Sequence, residues 1–196
     1  MRPQSIAVRI DRVEELAHRA RIFLELWTAL NLDTALAPFD KALDEFDDFW
    51  RFTRTAHESV FLIRITNLFT RDKRTANFIS VIADAEKEGA IGKELAAACR
   101  TRIAALGDLP ARVAQVRNNA MAHQHRSLKQ NEVFTKAQIS LNLMKQYSDT
   151  AVEVASMLKR GIGGEPIVVQ TDPAATLRDL LTFVETRLQR ETGAPR

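Results

Sequence analysis

Residues 59–69 read SVFLIRITNLF, and this stretch decides the fold class. Apolar side chains fill most of its positions, so a helix formed here is apolar on nearly every side and belongs at the centre of a helical bundle. Upstream, apolar residues recur every three or four positions from Phe39 through Trp50 to Val60. This period predicts one long helix from Phe39 to about Phe69.

Most of the remaining chain shows the same helical period, with few alternating patterns typical of strands. The further predicted helices run from Ile6 to Leu30, from Thr75 to Gly89, from Ile91 to Gly107, from Asp108 to about Ala120, from about Val133 to Gly161 and from Asp172 to about Arg190. We therefore predict an all-α antiparallel bundle over residues 1–160 and a glycine-rich linker over 161–171. Residues 172–196 are predicted to form a C-terminal helix that packs on the bundle or on a dimer partner.

Composition excludes several classes of protein. The chain has 196 residues with 45% hydrophobic and 27% charged side chains, which is typical of a soluble globular domain. Its single cysteine, Cys99, excludes an internal disulfide and a CxxC site, and neither an HExxH sequence nor a Cys/His cluster is present, so we do not expect a zinc enzyme. No apolar run is long enough to span a bilayer, and we expect a cytoplasmic protein.

Charge alone does not indicate a nucleic-acid binder. The net charge is only +3 despite 28 basic residues, which is a weak electrostatic attraction for a polyanion. A helical DNA-binding regulator is disfavoured as well, because no compact helix-turn-helix with a basic recognition helix can be written.

One segment, VRNNAMAHQH at residues 116–125, combines residues that can carry chemistry. An arginine precedes a histidine by six positions at Arg12/His18, Arg51/His57 and Arg117/His123. Only the third pair has a polar residue, Asn118, directly after the arginine.

This segment resembles the Arg-polar-x4-His motif of the HEPN superfamily, with Arg117, Asn118 and His123 at the three motif positions. In addition, FWRFTRTAHESVFLIRITNLFTRDKRTANFISVI, residues 49–82, is similar to the second and third elements of the abortive-infection (AbiU2-like) branch, with Thr70 where an acidic residue is expected. The likeness extends over residues 10–160.

The resemblance implies an all-α HEPN-like antiparallel helical bundle that acts as a homodimer. It implies a metal-independent endoribonuclease of a toxin–antitoxin or phage-defence (abortive infection) type, with RNA as substrate and no cofactor. An antitoxin such as a nucleotidyltransferase-like protein is the partner that such a role calls for. The alternative is a non-catalytic HEPN module that binds a nucleotide or docks a partner protein.

Each residue of the segment has an expected role. His123 can exchange a proton near neutral pH, and Arg117 can stabilise charge on the phosphoryl oxygens. Asn118 or Asn119 would orient groups by hydrogen bonds. His125 and Arg126 either extend a phosphate-binding path or form the charged end of a helix.

His57 and Arg64 lie seven residues apart on one face of the most apolar predicted helix. Polar groups at such positions are costly unless they are paired. They therefore either line a cleft opposite Arg117 and His123 or form an internal network with Glu58 and Asp72.

Overall fold

The computed structural model describes residues 5–31, 36–72, 75–121, 134–169 and 172–191, although not the side chains of residues 120 and 121. Over these ranges the chain is helical and contains no strand, which confirms the all-α fold class. The helices are α1 (Ile6–Asn31), α2 (Asp40–Glu45), α3 (Asp47–Phe69), α4 (Phe78–Lys87), α5 (Lys93–Ala104), α6 (Leu109–Met121), α7 (Leu141–Gly161) and α8 (Pro173–Glu191), with a 3-10 turn at Ala37–Phe39 before α2.

The prediction of one long helix from Phe39 to Phe69 is wrong in its first part, because the helix is interrupted at Phe46. Phe46 leaves the helical region, with φ −119° and ψ 34°, and α3 begins at the next residue. Asp47 and Asp48 fill the first turn of α3. Acidic side chains at that position favour a helix start, because they oppose the partial positive charge of the unpaired N–H groups.

The helix predicted from Thr75 begins at Phe78 instead. The side chain of Asn77 caps it by accepting a hydrogen bond from the Ser80 N–H at 2.9 Å. At its other end Gly89 has φ +72°, a conformation that suits glycine, and the predicted stop at this residue is confirmed.

The helix predicted from about Val133 begins at Leu141. Gln138 adopts a left-handed backbone with φ 53°, which interrupts a helix, and Ser140 then caps α7 by accepting a hydrogen bond from the Leu143 N–H at 3.3 Å. A side chain that accepts from the third helical N–H is a common helix start. Helix α7 ends at Gly161, as predicted.

The chain forms two compact units, each built from segments that are distant in sequence. The larger unit comprises the described residues within Met1–Arg21 and Ser59–Val168, and the smaller unit those within Ile22–Glu58 and Val169–Arg196. The division into two compact units does not test the predicted domain boundaries after residues 160 and 171, so those boundaries stay a prediction.

The core of the larger unit includes the stretch that decides the fold class. Within it Phe61, Leu62, Ile65 and Leu68 are at most 1% exposed, so its predicted burial is confirmed, and only Ile63 is exposed among its large apolar residues. Helix α5 packs on α4 and α7, and α7 packs on α4 and α6. These contacts fix the helix that carries the arginine–asparagine pair.

The smaller unit has an apolar cluster of its own. Its buried members come from α1, α2, α3 and α8, together with the turn before α2: Ala29, Leu30, Leu36, Ala42, Trp50, Leu177 and Leu181. The buried carboxylate of Glu185 accepts a hydrogen bond from the Ala42 N–H at 2.9 Å, and the Trp50 indole Nε1–H donates to the Ala42 carbonyl at 3.0 Å. Helix α8 is thus attached to α2 by a polar contact as well as by apolar packing.

Candidate active site

Helix α6 leaves Arg117 and Asn118 partly or fully exposed because its other face is apolar and buried. Leu109, Val113 and Val116 are at most 2% exposed and form the buried face. Gly107, with φ +58°, makes the turn before α6, and Arg112 donates a hydrogen bond to the Gln138 carbonyl at 2.9 Å. The start of α6 is therefore held by the segment that leads into α7.

Arg117 is half-buried, and its guanidinium is held by the next residue. Nε and Nη2 of Arg117 both donate to Oδ1 of Asn118, at 3.2 and 2.9 Å. A single acceptor engaged by two N–H groups fixes the plane of the guanidinium. Two asparagines are expected to orient groups, and of these Asn118 contacts Arg117. Asn119, the next residue on α6, is half-buried.

The other predicted members of this site, His123, His125 and Arg126, lie outside the described residues. The geometry that relates Arg117 to His123 therefore stays a prediction.

Tyr147 on α7 adds a polar group that the sequence predicts only as an inward-facing residue. It is fully buried, and its ring lies 4.5 Å from that of Phe69 between centroids. Its hydroxyl has no hydrogen-bond partner among the described residues. Burial raises the pKa of Tyr147 well above the ordinary value of a phenol, and the positive charge of Arg117 opposes part of this rise. The only signal in the sequence is that this is the single tyrosine of the chain.

His57 and Arg64 lie on α3 in different surroundings. His57 belongs to the smaller unit, where its Nδ1 lies 2.7 Å from the Thr53 carbonyl oxygen and its ring lies 5.6 Å from that of Phe23. Arg64 belongs to the larger unit. Its charge is one of the smaller influences that lower the pKa of Glu15, after the hydrogen bond from Arg12. Their assignment to a cleft or to an internal network stays a prediction.

An open groove of about 420 Å³ lies between the end of α5 and the first half of α7. Its charged lining is mixed, since Arg102 and Lys145 face Asp149 and Glu153. Arg102 and Glu153 form an ion pair at 2.6 Å. Because these charges oppose one another, the groove is a poor candidate for binding a polyanion.

Three further observations concern the described residues. Among them, no group of three or more His, Cys, Asp or Glu side chains could hold a metal ion. None of the described helices combines the length and the apolar character that crossing a bilayer requires. Cys99 is buried with a free thiol, and burial raises its pKa, which disfavours the reactive thiolate.

Comparison with known proteins identifies one family. The family model described as AbiU2, within the HEPN group, matches residues 10–189. The match runs further than the expected likeness over residues 10–160 and includes most of α8. No curated protein and no solved structure matches the chain.

Proposed function

The chain belongs to the AbiU2 family of HEPN proteins, and from this premise we propose that it is a metal-independent endoribonuclease of a toxin–antitoxin or phage-defence type, acting in the cytoplasm. The observation that carries the proposal is the orientation of Arg117. Arg117 is half-buried as a residue, and Asn118 holds its guanidinium in one plane, on a helix whose apolar face is buried. A preoriented arginine is suited to a phosphoryl group, because its planar N–H donors match the phosphoryl oxygens.

The proposed reaction uses the 2′-hydroxyl of RNA as the nucleophile. The 2′-oxygen loses its proton and attacks the adjacent phosphorus, and the bond to the 5′-oxygen breaks as that oxygen gains a proton. The products are a 2′,3′-cyclic phosphate and a 5′-hydroxyl. His123 is the group proposed to exchange the proton, since an imidazole titrates near neutral pH. Arg117 would stabilise the charge that builds on the phosphoryl oxygens.

A second copy of the chain completes the proposed site. On a continuous helix, residues six apart differ by about 120° in direction and by about 9 Å along the axis. On such a helix, Arg117 and His123 of one chain would be too far apart in position and direction to contact one phosphate together. Pairing two copies of the motif would place an arginine from one and a histidine from the other on the same phosphate. An antitoxin, such as a nucleotidyltransferase-like protein, would then restrain the enzyme.

The contact between Arg117 and Asn118 also fits the non-catalytic alternative. Two N–H groups of Arg117 are already engaged by Asn118, which is what a purely structural arginine requires. In that case the protein would bind a nucleotide or a partner protein without cleaving RNA.

Incubation of the purified protein with single-stranded RNA in the presence of EDTA separates the two functions. The endoribonuclease yields fragments that end in a 2′,3′-cyclic phosphate, and EDTA does not change the rate. Intact RNA at high protein concentration, with the protein folded and nuclease-free, would overturn the proposal in favour of the non-catalytic module.

A further inference from the structure

The hydroxyl of Tyr147 is a buried polar group that packing does not require. Tyr147 is 0% exposed, and its hydroxyl has no hydrogen-bond partner among the described residues. The ring lies 4.5 Å from the ring of Phe69 between centroids, a contact that a phenylalanine would make equally well. The chain uses phenylalanine at ten positions and tyrosine only here. Because a buried hydroxyl without a partner costs free energy, its presence needs a reason other than packing.

Arg117 is the charged group that acts on this hydroxyl. Both residues belong to the larger compact unit, in which α7 packs on α6. Burial raises the pKa of Tyr147, and the positive charge of Arg117 is the influence that opposes this rise. A cation lowers the pKa of a phenol in this way only from nearby. The hydroxyl therefore lies near the guanidinium, although no hydrogen bond joins the two groups.

The guanidinium of Arg117 has more donors than Asn118 uses. An arginine side chain carries five N–H groups in one plane. Nε–H and one N–H of Nη2 donate to Oδ1 of Asn118 and so occupy one edge of the guanidinium. The other N–H of Nη2 and one N–H of Nη1 form a second edge, which can donate to two phosphoryl oxygens. One N–H of Nη1 remains, and it points away from Asn118.

A bound phosphoryl group changes what this last N–H requires. Arg117 is only half-buried, so water can satisfy its unused donors while the site is empty. A phosphoryl group on the second edge would displace that water, and a buried donor without an acceptor is costly. An acceptor inside the protein, beside the guanidinium, removes this cost. The unpartnered oxygen of Tyr147 is such an acceptor.

We propose that Tyr147 is a positioning residue for Arg117: when the arginine holds a phosphoryl group of RNA, the hydroxyl oxygen of Tyr147 accepts the remaining N–H of Nη1. The inference rests on the proposed function, because the phosphoryl group is that of its substrate. Asn118 and Tyr147 would then hold the guanidinium from two sides. Since Tyr147 is fully buried, it acts through Arg117 and does not touch the RNA. Its hydroxyl thus lowers the stability of the free protein and serves only the complex.

A double-mutant cycle tests this role. Tyr147→Phe should slow single-turnover cleavage of a short RNA about tenfold, which is the loss expected for one hydrogen bond to a charged group. The free energy of unfolding, measured by urea denaturation, should rise at the same time. In an Arg117→Ala background the same change should alter the rate by less than about twofold, because no guanidinium is left to hold. A tyrosine that served packing alone would have equal effects in the two backgrounds.

Ser148→Ala is the matched control. Ser148 follows Tyr147 on α7, is 1% exposed and also has a hydroxyl without a partner among the described residues. Its side chain leaves the helix about 100° away from that of Tyr147. Loss of this hydroxyl should leave the cleavage rate unchanged. The inference is wrong if the parent cleaves RNA and Tyr147→Phe does not slow it, if the effect is the same without Arg117, or if Ser148→Ala slows cleavage as much.

RNA binding separates a failure of this inference from a failure of the proposed function. An oligonucleotide with a 2′-O-methyl group on every ribose lacks the nucleophile, and fluorescence anisotropy measures its Kd. If the parent binds this RNA but cleaves none, the same cycle on the Kd decides. A Kd that Tyr147→Phe raises several-fold only when Arg117 is present supports the inference although the endoribonuclease has failed. An uncoupled Kd, or a parent that neither cleaves nor binds RNA, overturns both.

Discussion

Arg117 donates two hydrogen bonds to a single oxygen, Oδ1 of Asn118, the residue that follows it on α6. Asn118 thus orients Arg117, the arginine that the resemblance places in the HEPN motif. This contact underlies the first two predictions.

Removing either of the two proposed active groups should abolish most cleavage. Arg117→Ala should lower the rate by about 10²–10³ through loss of electrostatic stabilisation. His123→Ala should lower it by about 10²–10⁴ through loss of proton transfer. Single-turnover cleavage of a short RNA measures both effects, and His125→Ala is the control that should stay near the parent rate. If His125→Ala abolished cleavage and His123→Ala did not, the motif would be misaligned.

Asn118 should affect the rate through the orientation of Arg117. Asn118→Ala removes the acceptor oxygen and leaves the charge, so the expected loss is smaller than that of Arg117→Ala. Asn118→Asp restores an acceptor but adds a negative charge that neutralises the arginine and repels phosphate. We expect it to be slower than Asn118→Ala in the same single-turnover assay. A rate for Asn118→Asp equal to that of the parent would show that only the acceptor matters, and not the charge.

Tyr147→Phe should stabilise the protein. The hydroxyl is buried without a hydrogen-bond partner among the described residues. Since an unsatisfied buried polar group costs about 1–3 kcal/mol, its removal should raise the free energy of unfolding by about 1 kcal/mol. Urea denaturation measures the change. Tyr147→Ala is the control and should cost about 3–5 kcal/mol, because it removes the ring as well. A destabilised Tyr147→Phe would mean that the hydroxyl has a partner.

His18 should make the fold sensitive to acid. Burial lowers the pKa of His18 below its ordinary value, and the nearby Glu14 carboxylate opposes part of this effect. The folded state therefore binds a proton less readily than the unfolded state, and stability is lost as the pH falls from about 6.5 towards the folded pKa. His18→Leu should reduce the loss of unfolding free energy between about pH 7 and about pH 5. Urea denaturation at several pH values tests this, and an unchanged pH dependence would contradict it.

Glu185 should be required for the stability of the smaller unit. Glu185→Ala leaves the Ala42 N–H without its acceptor, and we expect a loss of about 1–3 kcal/mol. Glu185→Gln keeps an acceptor oxygen and should cost less. Trp50 donates to the carbonyl of the same Ala42, so its fluorescence in a Trp27→Phe background reports unfolding at this place. Equal losses for the two substitutions would assign the contribution to the negative charge and not to the hydrogen bond.

The sequence by itself determined the fold class and the family. Apolar spacing is a local property of a helix, so the stretch at residues 59–69 identified the core and the regular stripes identified most helices. The motif at residues 116–125 and the likeness over residues 49–82 identified the HEPN relationship, because both are contiguous in the chain. Helix starts were predicted less well, since Phe46 and Gln138 interrupt stripes whose apolar spacing continues.

Only the tertiary structure decided which distant residues meet. Glu185 and Ala42 are 143 positions apart and form one hydrogen bond, and no periodicity predicts that pairing. Tyr147 reads as an ordinary inward-facing residue until the packing of α7 on α6 brings it under the influence of Arg117. The physical reason is that the spacing of apolar residues along a helix determines only which face of that helix is apolar. The element that packs against this face is determined by side-chain shape and by polar complementarity between segments far apart in the chain.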